Sequence, residues 1–127
     1  MAKVLMVEDD ETLSKMYQKK LEHEGFDVEI AYTGDEGVAK AAEVNPDLIL
    51  LDIMLPGMDG FGVISELRKD PKTKDIPIII LTNLGTSEMF MDKAKILGVK
   101  QYLIKYKTST NEVARAVRET LGEISKS

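Results

Sequence analysis

A chain of 127 residues, 43% hydrophobic and 31% charged, has the size and composition of one globular domain. Its formal net charge of −5 speaks against generic binding to nucleic acid, whose phosphates want a basic face. The absence of cysteine excludes disulfides, thiol catalysis and thiolate-bound zinc, and the single histidine, His23, excludes a multi-histidine metal site.

Lys3 to Val7 is a short apolar run that ends in acid, at Glu8, Asp9 and Asp10. Leu13, Met16, Tyr17 and Leu21 then recur at helical spacing, and Gly25 stops that first helix. Phe26 to Ala31 alternates apolar with acidic residues, the pattern of a more exposed strand. Thr33 and Glu36 form a capping box for a second helix, which turns Val38, Ala41 and Ala42 inward and ends at Asn45-Pro46. Leu48 to Leu51 runs without alternation into Asp52 and a Pro/Gly-rich turn, so it reads as a strand buried on both faces. A third helix faces inward with Phe61, Ile64 and Leu67 and closes at Asp70-Pro71. Pro77 opens a fourth apolar run, Ile78 to Leu81, ending at Thr82-Asn83. A fourth helix spans about Ser87 to Leu97 before Gly98, and Tyr102-Leu103-Ile104 forms a fifth strand ending at Lys105. Ser109 and Glu112 cap a last helix striped by Val113, Ala116, Val117 and Leu121, and the polar tail from residue 122 is expected to fray. Strand and helix alternate five times, which predicts a parallel sheet with helices on both faces.

Four of the strands end in chemistry. Glu8 and Asp9 follow the first, Asp52 the third, Thr82 ends the fourth and Lys105 follows the fifth. In a parallel sheet these ends share one edge, where open α/β folds bind ligands. Each residue alone reads equally as a turn former, a cap or a solvated end. Together they predict a shallow pocket with three carboxylates, a hydroxyl and an ammonium. Carboxylates this close need a cation, and an oxygen-only donor set suits a hard divalent ion such as Mg²⁺ (or Mn²⁺). A carboxylate beside such an ion and a lysine can attack a phosphoryl group to form an acyl phosphate.

The acidic cluster in Val7-Glu8-Asp9-Asp10, the stretch Asp52-Ile53-Met54-Leu55-Pro56-Gly57-Met58-Asp59-Gly60, Leu81-Thr82 and Tyr102-Leu103-Ile104-Lys105 resemble the receiver domain of two-component response regulators, the family of the chemotaxis response regulator. The likeness covers essentially the whole chain, as a single receiver domain over 1–127. It implies a flavodoxin-like (βα)5 doubly wound parallel sheet in the order 2-1-3-4-5, for which a member of this family is a standing example. By resemblance, Asp52 is the phosphoacceptor. Asp9 is a direct metal ligand, Glu8 acts through water, and the Met54 backbone carbonyl is a further ligand. Asp10 starts the helix. Thr82 hydrogen-bonds the phosphoryl group and Lys105 pairs with it. Tyr102 resembles the switch aromatic that turns inward as Thr82 moves; the alternative reading is a half-buried strand aromatic. The implied partners are a histidine kinase or phosphotransfer protein docking on the first helix, and a downstream protein on the face of helix four, strand five and helix five. No direct nucleic-acid or membrane partner is expected. The chain would then be no enzyme beyond its own phosphotransfer and dephosphorylation.

The sequence also departs from the family's pattern. Proline usually follows the lysine, often after a cis bond; here Tyr106 follows Lys105. A cis bond before a non-proline residue costs about 3–4 kcal/mol, so a rearranged loop with a trans bond is expected. Asn83 stands where a small residue is usual, and Met54 and Leu84, each two positions past a site residue, are apolar. Neither can orient an attacking water, which predicts slow self-dephosphorylation. Met89, Phe90 and Met91 span most of a helical turn and cannot all face the core, so Met89 or Phe90 is expected at the surface. His23, on a polar helix end, reads as solvated. Two further readings stay open. One is a pseudo-receiver, an interaction module that is not phosphorylated. The other is an aspartyl-phosphate hydrolase, weakened because Met54 stands where the haloacid-dehalogenase type needs a second acid. No signal peptide or membrane-length apolar run is present in the sequence, which leaves a cytoplasmic protein as the expectation.

Overall fold

Short aliphatic runs without alternation form the strands, and amphipathic stretches between capping residues form the helices. The computed structural model describes residues 1–85 and 87–126, with side chains through residue 122. In chain order it has β1 (Lys3–Val7), α1 (Glu11–His23), β2 (Asp27–Ala31), α2 (Gly34–Val44), β3 (Leu48–Leu51), α3 (Gly60–Lys69), β4 (Ile78–Thr82), α4 (Glu88–Ile96), β5 (Gln101–Ile104), a 3-10 turn (Lys105–Lys107) and α5 (Thr110–Lys126). All strand pairs are parallel, in the order β2-β1-β3-β4-β5. The α/β expectation and its strand order are therefore met.

Side chains alternate across each strand, and the alternation sorts the core into two layers. Leu5, Val7, Ile49, Leu51, Ile78 and Ile80 pack with α2, α3 and α4 on one face. Val4, Met6, Leu48, Leu50, Ile79 and Leu81 pack with α1 and α5 on the other. The register aligns the strand ends. Val7 pairs with Ala31 and with Leu51, Leu51 pairs with Ile80, and Thr82 pairs with Ile104. The residues that follow these pairs meet at one edge.

Helix starts follow local chemistry. Asp10 accepts from the Leu13 N–H at 2.9 Å, as a helix-start residue should. Thr33 caps α2, Asp59 caps α3 and Ser87 caps α4 by the same device. Gly25 and Gly98 end α1 and α4 at φ of +96° and +74°, a conformation in which a Cβ is strained. Met16, expected on the inward stripe of α1, is instead 44% exposed. The row at four-residue spacing, Leu13, Tyr17 and Leu21, faces the sheet, and Met16 lies one step around the helix from it. Ser14 is buried instead, its hydroxyl donating to the Glu11 carbonyl at 2.9 Å. The backbone of α5 continues through the polar segment to Lys126; Ser127 lies outside the described residues. Among the described residues, no helix is long and apolar enough to cross a membrane.

Candidate phosphoacceptor site

The β3 strand delivers Asp52 to the sheet edge with its backbone already committed. Its N–H donates to the Val7 carbonyl at 3.0 Å, and its carbonyl lies under the start of α3. A Cβ on Gly60 would come within 2.5 Å of that carbonyl, so the close approach of α3 needs glycine there. The Asp52 side chain, 6% exposed, accepts from the Met54 N–H through Oδ1 at 3.0 Å and from Lys105 Nζ through Oδ2 at 2.7 Å. Lys105 reaches this point from β5 by crossing over β4. The same ammonium makes an ion pair with Glu8 Oε1. Glu8 is buried, and its Oε2 accepts from the Asp10 N–H at 2.9 Å. Asp9 is exposed beside them.

Glu8, Asp9 and Asp52 each offer one carboxylate oxygen, and the three oxygens lie within 4.8 Å of one another. The set is built wholly of hard oxygen donors, suited to a divalent cation of the alkaline-earth type. Glu8 Oε1 supports the fit, because it is buried and, among the described residues, meets no partner besides the Lys105 ammonium, which leaves it a lone pair for a cation. Burial pushes the Glu8 carboxyl above its ordinary range, against the Lys105 ammonium and the Asp10 N–H, while the neighbouring Asp52 adds to the rise. Burial alone would depress the Lys105 ammonium; the Asp52 and Glu8 carboxylates outweigh it and hold the lysine above its usual value.

Thr82 is fully buried at the end of β4, and its hydroxyl oxygen accepts from the Leu84 N–H at 3.1 Å. Tyr102 is half-buried on β5. Its hydroxyl lies 3.1 Å from the Gly85 carbonyl and 3.3 Å from the Leu84 carbonyl, and its one proton is donated to that pair. Burial raises its pKa, with a smaller contribution from the Asp52 charge. Tyr102 is thus attached to the loop that follows Thr82. Met54 is 55% exposed at the mouth of the site.

Glu8, Asp9, Asp52 and Lys105 are therefore brought together at the sheet edge, and Thr82 ends the adjacent strand β4. No cis peptide bond occurs among the described residues, and Lys105–Lys107 form a 3-10 turn. Sequence reasoning singled out Asn83 and Tyr106 as separate departures. It missed that they touch: the Tyr106 N–H donates to Asn83 Oδ1 at 3.1 Å. Of the three successive residues in α4, Met89 and Met91 are exposed, at 70% and 39%, whereas Phe90 stacks on Phe61 with centroids 6.1 Å apart.

Comparison with known proteins agrees with this geometry. The sequence profile of the response regulator receiver domain matches residues 4–118. The chain is 46% identical over 107 residues to the DNA-binding dual master transcriptional regulator RpaA of Synechocystis sp., covering 83% of this chain and 43% of RpaA. It is 39% identical over 107 residues to protein PilH of Pseudomonas aeruginosa, covering 83% of this chain and 86% of PilH. It therefore spans less than half the length of RpaA but most of the length of PilH. Among solved structures, the chemotaxis protein CheY4 of Vibrio cholerae superposes with a TM-score of 0.86 at 31% identity, covering 94% of this chain and 98% of that one. An acid–aspartate–threonine–lysine set at the carboxyl edge of a 2-1-3-4-5 sheet, in a chain matched from residue 4 to residue 118, places this protein in the receiver-domain family of two-component response regulators.

Proposed function

We propose that the chain accepts a phosphoryl group on Asp52 from a histidine kinase or phosphotransfer protein, and that this changes which partner it binds. The observation that carries the reading is the ammonium of Lys105 held against both Asp52, at 2.7 Å, and Glu8. Asp52 is the nucleophile. One carboxylate oxygen bonds to phosphorus as the bond from phosphorus to the donor's nitrogen breaks, and the departing imidazole keeps that electron pair. The Met54 N–H fixes the carboxylate's rotation during attack. Lys105 follows the negative charge from Asp52 to the phosphoryl oxygens, and the Thr82 hydroxyl donates to them. Glu8 and Asp9, with Asp52 and the Met54 backbone carbonyl, would hold Mg²⁺ or Mn²⁺, whose charge offsets that of the transferring group. The chain acts on no outside substrate in this reading; it catalyses only its own phosphorylation and dephosphorylation.

The acyl phosphate adds about −1.5 to −2 charge in a buried corner. Thr82 is drawn toward it, and the loop through Leu84 and Gly85 moves with Thr82, releasing or reseating the Tyr102 hydroxyl. That event reshapes the α4–β5–α5 face, the docking surface for a downstream protein. The relative RpaA is named as DNA-binding, but a net charge of −5 favours a protein partner for this domain. The donor docks on α1, beside the site.

Incubation with acetyl phosphate or phosphoramidate, with and without Mg²⁺, followed by intact mass measurement, tests the reading. The expected result is one added phosphoryl group that needs Mg²⁺ and is absent in Asp52→Asn. No gain from any donor would establish the unphosphorylated interaction module instead. Met54 and Leu84 carry no group that could align a water. The acyl phosphate should therefore persist, and Met54→Asn with Leu84→Glu should shorten its lifetime by about tenfold, short of the full effect of a positioned general base. An unchanged lifetime in the double variant would show that water access is limited elsewhere.

A further inference from the structure

The β4–β5 ladder stops at the pair Thr82–Ile104; of the site residues on this side, Thr82 stands on that last rung and Lys105 is the first residue past it. Beyond it β5 has no neighbour on its outer side, because it is the edge strand. One contact bridges the two loops further out: the Tyr106 N–H donates to Asn83 Oδ1 at 3.1 Å. A side-chain carbonyl there does what the next backbone carbonyl of a ladder would do. The turn is also tied internally, by the Thr108 N–H to the Lys105 carbonyl at 3.3 Å and by the Thr108 hydroxyl to the Ile104 carbonyl at 2.7 Å. Those bonds fix the turn's shape; among the described residues, the hydrogen bond to Asn83 is the one that ties the turn to the loop after β4.

Placement matters because Lys105 works at a distance. Its ammonium must pass over β4 to reach Asp52 on β3, two strand spacings away or about 10 Å. The lysine stem, the Asp52 side chain and the 2.7 Å contact between them together span that gap with little slack, so a shift of the Lys105 backbone becomes a shift of its charge. We infer that Asn83 is a positioning residue for Lys105: together with the Tyr106 N–H it forms a latch that aligns the lysine with the phosphoacceptor. The two departures from the family's pattern then form a matched pair. A proline at 106 has no N–H to give, and a small residue at 83 has no side-chain carbonyl to receive one.

The inference rests on the phosphoacceptor reading, and its test separates the two. Phosphorylation by acetyl phosphate with Mg²⁺ is measured against donor concentration for the full chain and for Asn83→Ala, Tyr106→Pro and the double variant. Melting temperature and hydrogen exchange of the Tyr106 amide are measured alongside. Asn83→Ala should lower the maximal rate by about two- to tenfold, the worth of one hydrogen bond carried into the transition state. It should leave the half-saturating donor concentration and the melting temperature in place, and should speed exchange of the Tyr106 amide. A purely structural role would lower the melting temperature and spare the rate of the folded fraction. In the Tyr106→Pro background, which has no amide to hold, Asn83→Ala should do nothing further. An unchanged maximal rate in Asn83→Ala, or an equal loss in the proline background, would overturn the latch and leave the phosphoacceptor reading standing. A wild-type chain that takes no phosphoryl group overturns both.

Discussion

The centre of the sheet and its β5 edge are built to different standards, although the same layer of helices covers both. Every residue of β3 is fully buried, and α3 above it buries Gly60, Phe61, Val63, Ile64 and Leu67. On the edge side, β5 buries only Ile104, and α4 buries only Ala94 while leaving Met89 and Ile96 70% and 85% exposed. The ties to α4 come from a few side chains. Arg68 on α3 donates to the Leu97 carbonyl at 3.1 Å and also to the Lys74 and Ile76 carbonyls, while Phe61 stacks on Phe90 and sits 4.6 Å beneath the Lys93 ammonium. The partition matches the chemistry. Glu8, Asp9 and Asp52, which the proposed phosphotransfer needs in fixed geometry, are rooted in the tightly packed half. Lys105 and Tyr102, together with the loop leaving Thr82, belong to the half with little apolar burial, the sort that opens at low free-energy cost.

The comparison breaks most visibly under truncation. Ile64→Ala in α3 removes a fully buried side chain and should cost about 2–5 kcal/mol in denaturant unfolding. Ile96→Ala in α4, the same change at a surface position, should stay within about 0.5 kcal/mol of wild type. Equal costs would mean that α4 is held as firmly as α3. A smaller effect sharpens the contrast. Arg68→Met leaves three carbonyls without their donor and should cost about 1–3 kcal/mol. The loss should be uneven, with amides of α4 exchanging faster while those of β3 hold, since the guanidinium ties α3 to the end of α4 and to the loop before β4 and bonds no residue of β3. Uniform acceleration across the molecule would show instead that α4 and the sheet open as one unit.

This asymmetry also explains what could be read from the sequence. The unalternating runs at Leu48–Leu51 and Ile78–Leu81 announce central strands, because burial on both faces leaves no polar position. The strand-end residues were legible for a related reason: parallel topology turns distant positions into neighbours without any knowledge of side-chain contacts. Met16 failed because a helix stripe is broad in sequence and narrow in space, and one step around α1 carries it to the surface. Arg68 was not legible, since its acceptors are backbone carbonyls that have no signature. Asn83 and Tyr106 were visible as departures, but nothing in their spacing of 23 residues says that they meet. Long-range polar contacts at an edge depend on loop conformation, which periodicity does not encode.

The smallest expected effect tests how the edge half is held once packing has been accounted for. α5 begins just past the Lys105 turn, and its start rests on a reciprocal cap: the Ser109 N–H donates to Glu112 Oε1 at 3.0 Å, and the Glu112 N–H donates to Ser109 Oγ at 3.1 Å. The Ser109 N–H, then its hydroxyl, hold the Glu112 carboxyl below its ordinary range, with a lesser pull from Arg115. A carboxyl whose pKa is depressed on folding binds protons less well in the native state than in the unfolded one. Its stabilisation is therefore complete above the unfolded value and disappears as pH falls through the depressed folded value. Glu112 is fully solvated, so the effect is small and salt-sensitive. Melting temperatures of wild type and Glu112→Gln should differ slightly near neutral pH and converge in acid. A difference that persists in acid would mean that the carboxylate charge contributes nothing. The start of α5 would then rest on the neutral Ser109 hydroxyl and the stripe of Val113 and Val117, as much a matter of packing as the tightly built half.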